Sequence, residues 1–376
     1  MEQTIGLFHL TSSGYGFSGF VKTHGSDIFK AVSFPHGIRQ RHMNQVTIVT
    51  GGAGFIGSHL VGQLIESGQS VRVIEPPGVN VEHLPAEVEV IFADIRDRDT
   101  VAQALRGGRW VYHLAANPNL WIRDRGEFDA VNHIGTVNVL EAAIEAGAEG
   151  ILHTSTESIL TRAGATEFIN EYIEISESDT VGPYCLSKLR AENVAMEKAR
   201  AGYPVVVANP TMPVGPGDRR LSPPTRLILD FCQGRLPAMM ECTLNMIDVR
   251  DVATGLIRVL ERGSPGRRYL LGGENLTLEG FLRILSELTG VPIPRWRVPY
   301  PVGLAAAYLN EFWADHVSGQ PPEATVTGVR LARRLMHFDH SDSLAGLGLS
   351  PRPIRESAAD AVNWLRQTGQ LCSDRP

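Results

Sequence analysis

VTIVTGGAGFIG, Val46 to Gly57, is the stretch whose reading decides the fold. Val46–Thr50 is a short β-branched run, the composition of a parallel strand buried on both faces. It enters a glycine cluster that opens onto FIGSHLVGQLIESG, an apolar pattern with helical period. Gly51 supplies backbone angles closed to other residues, Gly54 lets the main chain approach a pyrophosphate, and Gly57 permits close packing of helix on strand. The helix would begin at Phe55 and Ile56, where free N–H groups and the macrodipole favour phosphate. The spacing G-x-x-G-x-x-G differs from the simplest dinucleotide fingerprint, G-x-G-x-x-G, but the context on both sides is right. A second strand, VRVIE, ends in Glu75 roughly 20 residues beyond the turn, where an acidic side chain binds the adenosine ribose hydroxyls. A carboxylate there repels a 2′-phosphate, so NAD is expected over NADP.

Composition sets the bounds. The 376 residues suffice for one large or two modest domains, with 43% hydrophobic and 20% charged residues and a net charge of -6. No basic block points to nucleic acid. Cys185, Cys232, Cys242 and Cys372 show no metal-type pairing, which reads as free thiols in a reducing cytoplasm, with no metal site. No run reaches the ~18 apolar residues of a membrane span. The nearest, VPYPVGLAAAYL from Val298, carries two prolines and reads as a loop entering a helix. The expected partner is a small-molecule substrate, and a homodimer is left open.

Residues 1–44 lack periodicity and read as a poorly structured extension, with Met43 a candidate start of the functional chain and a targeting role the alternative. From Val46 strand and helix patterns alternate, which argues for a doubly wound α/β fold with a parallel sheet. Strands are expected at 88–92, 110–116, 151–155 and 204–210, and helices at 55–67, to about Arg106, 128–146 and 184–201. After Pro210 the Pro- and Gly-rich PTMPVGPGDRRLSPP breaks this rhythm. A dinucleotide-binding Rossmann domain is therefore placed at 45–210, and a smaller, mostly helical substrate lobe at 211–376, the two interleaved in one catalytic unit. That lobe carries helical patterns at 225–234, 251–262, 277–289 and 356–367 and a strand at 267–273.

Two clusters carry chemistry. In Tyr184-Cys-Leu-Ser-Lys188 the i, i+4 spacing on a helix puts the Lys188 ammonium beside the Tyr184 phenol, where it would lower the phenol's pKa from about 10. Upstream, His153-Thr154-Ser155-Thr156-Glu157-Ser158 is a hydroxyl cluster at the C-terminal edge of the sheet, where ligands of such folds bind. Ser155 and Ser158 read as strand-end caps.

TGGAGFIG (50–57), ADIRD (93–97), HLAA (113–116), Asn132 in NHIGTVNVLEAA, the 154–158 cluster and YCLSK together resemble the extended short-chain dehydrogenases/reductases, the NAD-dependent epimerase/dehydratase superfamily. ANPTMPVGPGD, NMIDVRDVATG and YLLGGENLTLEGFLRIL resemble its dihydroflavonol-4-reductase-like and 3β-hydroxysteroid-dehydrogenase-like branch, and most closely the hopanoid-associated sugar epimerases. The resemblance implies that Gly51, Gly54 and Gly57 hold the pyrophosphate, Asp94 and Ile95 flank the adenine, and Ala115 and Ala116 line the cofactor cleft. Asn132 and Pro210 are implied as further cofactor-site residues, Pro210 near the nicotinamide amide. Tyr184 is the implied acid/base and Lys188 holds the nicotinamide ribose. Thr156 stands where the family usually has serine and orients the substrate oxygen, with Ser158 the alternative hydroxyl. Leu244 stands where nucleotide-sugar enzymes carry a diphosphate-clamping arginine, a lost bidentate contact for which Arg219, Arg220 and Arg226 are the candidate replacements.

The expected activity is hydride transfer between nicotinamide and a secondary alcohol or ketone, possessed of a sterol- or isoprenoid-like frame. The apolar segments 227–232, 236–240 and 298–309 are expected to wall its cleft. The alternatives are an NAD-dependent sugar epimerase or dehydratase and a non-catalytic dinucleotide sensor.

Overall fold

The computed structural model describes residues 46–371; the proposed extension at 1–44 and Cys372 lie outside the described residues. Seven parallel strands form the main sheet in the order β10-β6-β5-β4-β1-β2-β3. Their ranges are β1 Val46–Thr50, β2 Val71–Glu75, β3 Glu89–Phe92, β4 Gly108–His113, β5 Gly150–Thr154, β6 Val205–Pro210 and β10 Arg268–Leu271. β5 and β6 are buried at every residue, which is why they read as unbroken apolar runs rather than alternating ones. One face packs Ile48, Val111, Ile151 and Val207 under the helices at 98–104, 135–145 and 182–200. The other packs Val49, Tyr112, Leu152 and Val206 under the helices at 55–66 and 249–262.

The strand order reverses at β1, with β2 on one side and β4 on the other. Beyond the C-terminal ends of β1 and β4 lies the crevice in which open parallel sheets bind ligands. β4 ends at His113, so Leu114, Ala115 and Ala116 leave the sheet and are free to wall this crevice. The helix expected at 128–146 is instead a short turn at Gly126–Phe128, a π-helical segment at Asp129–Ile134 and an α-helix at Gly135–Glu145.

The strand expected at 267–273 is β10, and it pairs with β6 from Arg268↔Val207 to Leu271↔Pro210. The chain thus returns to the first sheet after the Pro-rich break. The chain after Pro210 also holds strands absent from the sequence reading. A three-stranded sheet has the order β11-β9-β7, with β7 Met212–Val214, β9 Thr243–Asp248 and β11 Glu274–Thr277. A two-stranded one pairs β12 Trp296–Arg297 with β8 Ala238–Met239. The segments expected to wall a substrate cleft at 227–232 and 236–240 are largely this lobe's core. Ile228, Leu229, Phe231 and Met239 pack with Leu244, Met246, Phe281, Leu282 and Leu285. An amphipathic helix that must bury its stripe finds that partner inside its own lobe. Cys185, Cys232 and Cys242 are free thiols. Among the described residues no helix is long and apolar enough to cross a membrane.

Candidate active site

The glycine turn is built by close approach. Gly51 has φ +74°, and a Cβ there would stand 2.7 Å from the Ala115 nitrogen. At Gly57 a Cβ would stand 2.1 Å from the Gly51 carbonyl oxygen, so any side chain would push the helix off the strand. Gly54 precedes the helix Phe55–Glu66 with no side-chain cap, leaving the first N–H groups of that helix directed at the crevice. The opposite wall is fixed from below: the Ala115 N–H donates to Thr50 Oγ1 (3.2 Å), which is itself hydrogen-bonded to His113 (2.7 Å).

The cleft has a volume of about 440 Å³ and brings together Gly51, Gly54, Phe55, Ile56, Gly57, Glu75, Asp94, Ile95, Ala115 and Ala116. Glu75 is buried at the end of β2, with one carboxylate oxygen accepting from the Ala53 N–H (2.7 Å). Burial pushes its carboxyl up, and that hydrogen bond and the nearby Arg220 pull it back down. Arg96 holds the Asp94 carboxylate below the usual range and fixes it at the rim. Thr154 lies on the floor, and its hydroxyl is buried with no protein partner. A donor-rich helix start, a buried acid at the second strand and an unpartnered hydroxyl between them fit a dinucleotide.

The helix Gly182–Arg200 has Pro183 in its first turn and places Tyr184, Lys188 and Glu192 at successive i, i+4 positions. Lys188 is buried and its ammonium donates to the Thr154 carbonyl (2.8 Å). Burial brings its pKa down to about 8, opposed by the negative charge of Glu192. The Tyr184 ring meets Phe128 edge-on at 6.3 Å, and its phenol neighbours the Thr156 hydroxyl. The expected lowering of the phenol is not found. Burial pushes Tyr184 well up, Cys185 and Glu157 push the same way, and only the neighbouring Thr156 hydroxyl opposes them. The Lys188 ammonium is engaged by the Thr154 carbonyl, and desolvation sets the direction of the phenol's shift. A phenol held protonated is a proton donor.

Thr156 donates to the Glu157 carboxylate (2.9 Å) and shares a hydrogen bond with Ser158 (3.1 Å), which accepts from the Cys185 thiol (3.7 Å). Thr156 also caps the following 3-10 turn by accepting from the Ser158 N–H. Capping therefore falls to Thr156 rather than to Ser158.

Two implied cofactor residues stand back from the lining. Asn132 is fully buried; its oxygen accepts from the Asn117 N–H (2.7 Å), and its nitrogen donates to the Asn117 carbonyl (3.1 Å) and to Ser187 (3.1 Å). Its amide is thus used to pin the wall at Asn117 to the Tyr184 helix, and its bearing on the cleft is indirect. Pro210 ends β6, beside β5 at the same sheet edge. Of the arginines, Arg220 lines the cleft while Arg226 is exposed to solvent. Leu244 is buried opposite Leu276 in the second lobe.

Sequence reasoning gave no role to Glu192 or Glu157. Glu192 is fully buried, accepts from Asn209 (2.7 Å) on β6 and pairs with Arg268 (2.7 Å) on β10. Its spacing from Lys188 was a readable signal. Burial pushes the Glu157 carboxyl up to about 7, moderated by the Thr156 hydrogen bond. A carboxyl raised above its ordinary 4.5 gives the native state an advantage that is whole below that value and is lost as pH rises through about 7. The melting temperature of Glu157→Gln relative to wild type should therefore climb between about pH 5 and about pH 8. A gap that stays constant across this range in thermal melts would refute the assignment.

Residues 47–272 match the NAD dependent epimerase/dehydratase family. The chain is 33% identical over 329 residues to the sterol demethylase protein B of Methylococcus capsulatus, covering 86% of this chain and 99% of that one. It is 28% identical over 329 residues to the 4-hydroxy-2-methyl-3-oxo-4-farnesyl-3,4-dihydroquinoline-1-oxide ketoreductase of Stigmatella aurantiaca, covering 86% of this chain and 97% of that one. The crystal structure of gox2253 shares 35% identity and superposes with a TM-score of 0.78 over 87% of this chain and 100% of that chain.

Proposed function

Because the chain belongs to the NAD dependent epimerase/dehydratase family of extended short-chain dehydrogenases/reductases, we propose that this NAD-using enzyme reduces the ketone of an apolar, sterol- or isoprenoid-like substrate, or oxidises the matching secondary alcohol. The observation that carries the reaction type is the Tyr184 phenol beside the Thr156 hydroxyl and one helical turn from the buried Lys188. When bound, NAD supplies or accepts the hydride. Thr156 turns its one hydroxyl proton from Glu157 to the substrate oxygen, and Tyr184 gives that oxygen its proton as the carbonyl becomes an alcohol. Lys188 anchors the ribose and keeps a positive charge behind the phenol. The glycine turn fixes the pyrophosphate, so the reacting carbon is presented in one orientation.

The substrate class is supported by two independent points. The relatives at 33% and 28% identity carry sterol and farnesyl names. The position that would clamp a diphosphate is Leu244, turned into the second lobe's core. The family's name favours an epimerase as the second reading. A direct competition separates them: a 3-oxo sterol should be reduced with stoichiometric loss of NADH, and UDP- and dTDP-sugars should not compete. Micromolar binding of a nucleotide sugar, with no consumption of NADH by any sterol or isoprenoid ketone, would overturn the proposal and favour the epimerase.

A further inference from the structure

The helix Tyr300–Trp313 and the π-helical turn Ala314–Ser318 that continues it have a buried face and an exposed one, both apolar. Gly303, Ala307 and Ala314 face inward and are buried. The only two acidic residues of the segment are also engaged with the protein. Glu311 accepts from the Val326 N–H (2.7 Å), and Asp315 accepts from the Trp121 indole (3.2 Å) and from Arg125 (3.0 Å). The outward face is Val302, Tyr308, Leu309, Phe312, Trp313 and Val317, each more than half exposed, from 51% at Tyr308 to 71% at Leu309. These residues recur at helical spacing as one stripe, with Ala305 and Ala306 exposed between them. A contiguous patch of this kind on a folded protein marks an interaction surface.

The rim of the stripe is basic. The Arg330 guanidinium lies over the Tyr308 ring and donates to its hydroxyl (2.7 Å), and Arg333 lies over Tyr300 at 4.7 Å. Arg123 reaches Gly319 at the far end of the segment. None of the three is within ion-pair distance of a carboxylate among the described residues. A two-fold contact of the stripe with a second copy would bring these arginines together with no acid to meet them. Aromatic rings beside apolar side chains, with cations at the edge and acids turned away, match instead a helix lying in the headgroup boundary of an anionic bilayer. We propose that this face docks the protein on an anionic phospholipid surface.

The site is well placed for such a role. Asn117, Pro118 and Asn119 line the cofactor cleft, and Trp121 and Arg125, just beyond them, are tied to Asp315 on the docking segment. Docking would therefore hold the loop at the cleft's wall against the lipid. The proposal does not depend on the substrate assigned above.

The test is co-sedimentation of the full-length NAD-loaded protein with vesicles of equal parts phosphatidylglycerol and phosphatidylcholine, compared with phosphatidylcholine alone. At about fivefold per arginine, the three should give roughly a hundredfold preference for the anionic vesicles at low salt. Arg123→Gln with Arg330→Gln and Arg333→Gln should abolish that preference. Leu309→Ser with Phe312→Ser and Trp313→Ser should weaken binding to both by about tenfold or more. NAD affinity should stay within about twofold in both variants, because none of these side chains lines the cleft. Absence of wild-type binding to anionic vesicles, or equal binding by the Ser variant, would overturn the proposal. So would a wild-type dimer that ignores vesicles and falls apart in the Ser variant, which would make the stripe a self-association face.

Discussion

Tyr184→Phe should lower ketone reduction by about 10²- to 10⁴-fold, the range expected when a positioned proton donor is removed, while NAD affinity changes by no more than a few-fold. The substitution deletes one oxygen and keeps the ring against Phe128. Thr156 keeps its bonds to Glu157 and Ser158. Lys188→Ala should behave differently. It removes the buried cation that bonds the Thr154 carbonyl and leaves Glu192 with one charge fewer nearby, so both turnover and NAD binding should fall. The check is single-turnover NADH oxidation beside calorimetric NAD titration for the two variants. Near wild-type turnover in both would remove the Tyr184 helix from the chemistry.

Arg268→Ala should cost the fold about 3–5 kcal/mol, because it strands a carboxylate in the interior. Glu192 is fully buried, and Arg268 bonds it while also donating to the carbonyls of Glu171 and Ile173. One guanidinium therefore joins β10, the helix Gly182–Arg200 and the segment at 171–173. A melting temperature lower by on the order of ten degrees is expected. Replacing both partners, Arg268→Met with Glu192→Leu, should recover much of the loss, since no lone charge remains. Equal destabilisation by the single and double replacements would mean that packing of the arginine stem, not its charge, is what matters.

The readable parts of the chain are those whose determinants are local. β1, the glycine turn and the helix after it follow from a β-branched run, three glycines and a 3.6-residue period, and each is where the sequence puts it. β5 and β6 were legible because strands buried on both faces must be apolar throughout. The strands of the second lobe were not. β7 is three residues with a central proline, and β11 is ENLT, whose pairing with β9 depends on partners far along the chain. The site shows the same division. Tyr184 and Lys188 declare themselves by spacing, but the direction of the phenol's shift is set by how deeply the fold encloses it, which spacing does not encode. Asn132 lay in a recognisable motif, yet its task depends on a π-helical segment that rotates it toward Asn117 and Ser187.

The return of β10 to the first sheet bears on how this protein could be rebuilt. Cutting the gene after Pro210 would strip β6 of a neighbour and expose its edge to pairing with other chains. The same cut removes Arg268, the counter-ion of the carboxylate that sits one helical turn from the buried Lys188. An isolated front half is thus a poor candidate for a free-standing nucleotide-binding module. Chimaeras that exchange the chain after Pro210 should graft residues 211–267 and 272–371 as two separate inserts, leaving the strand between them with its host.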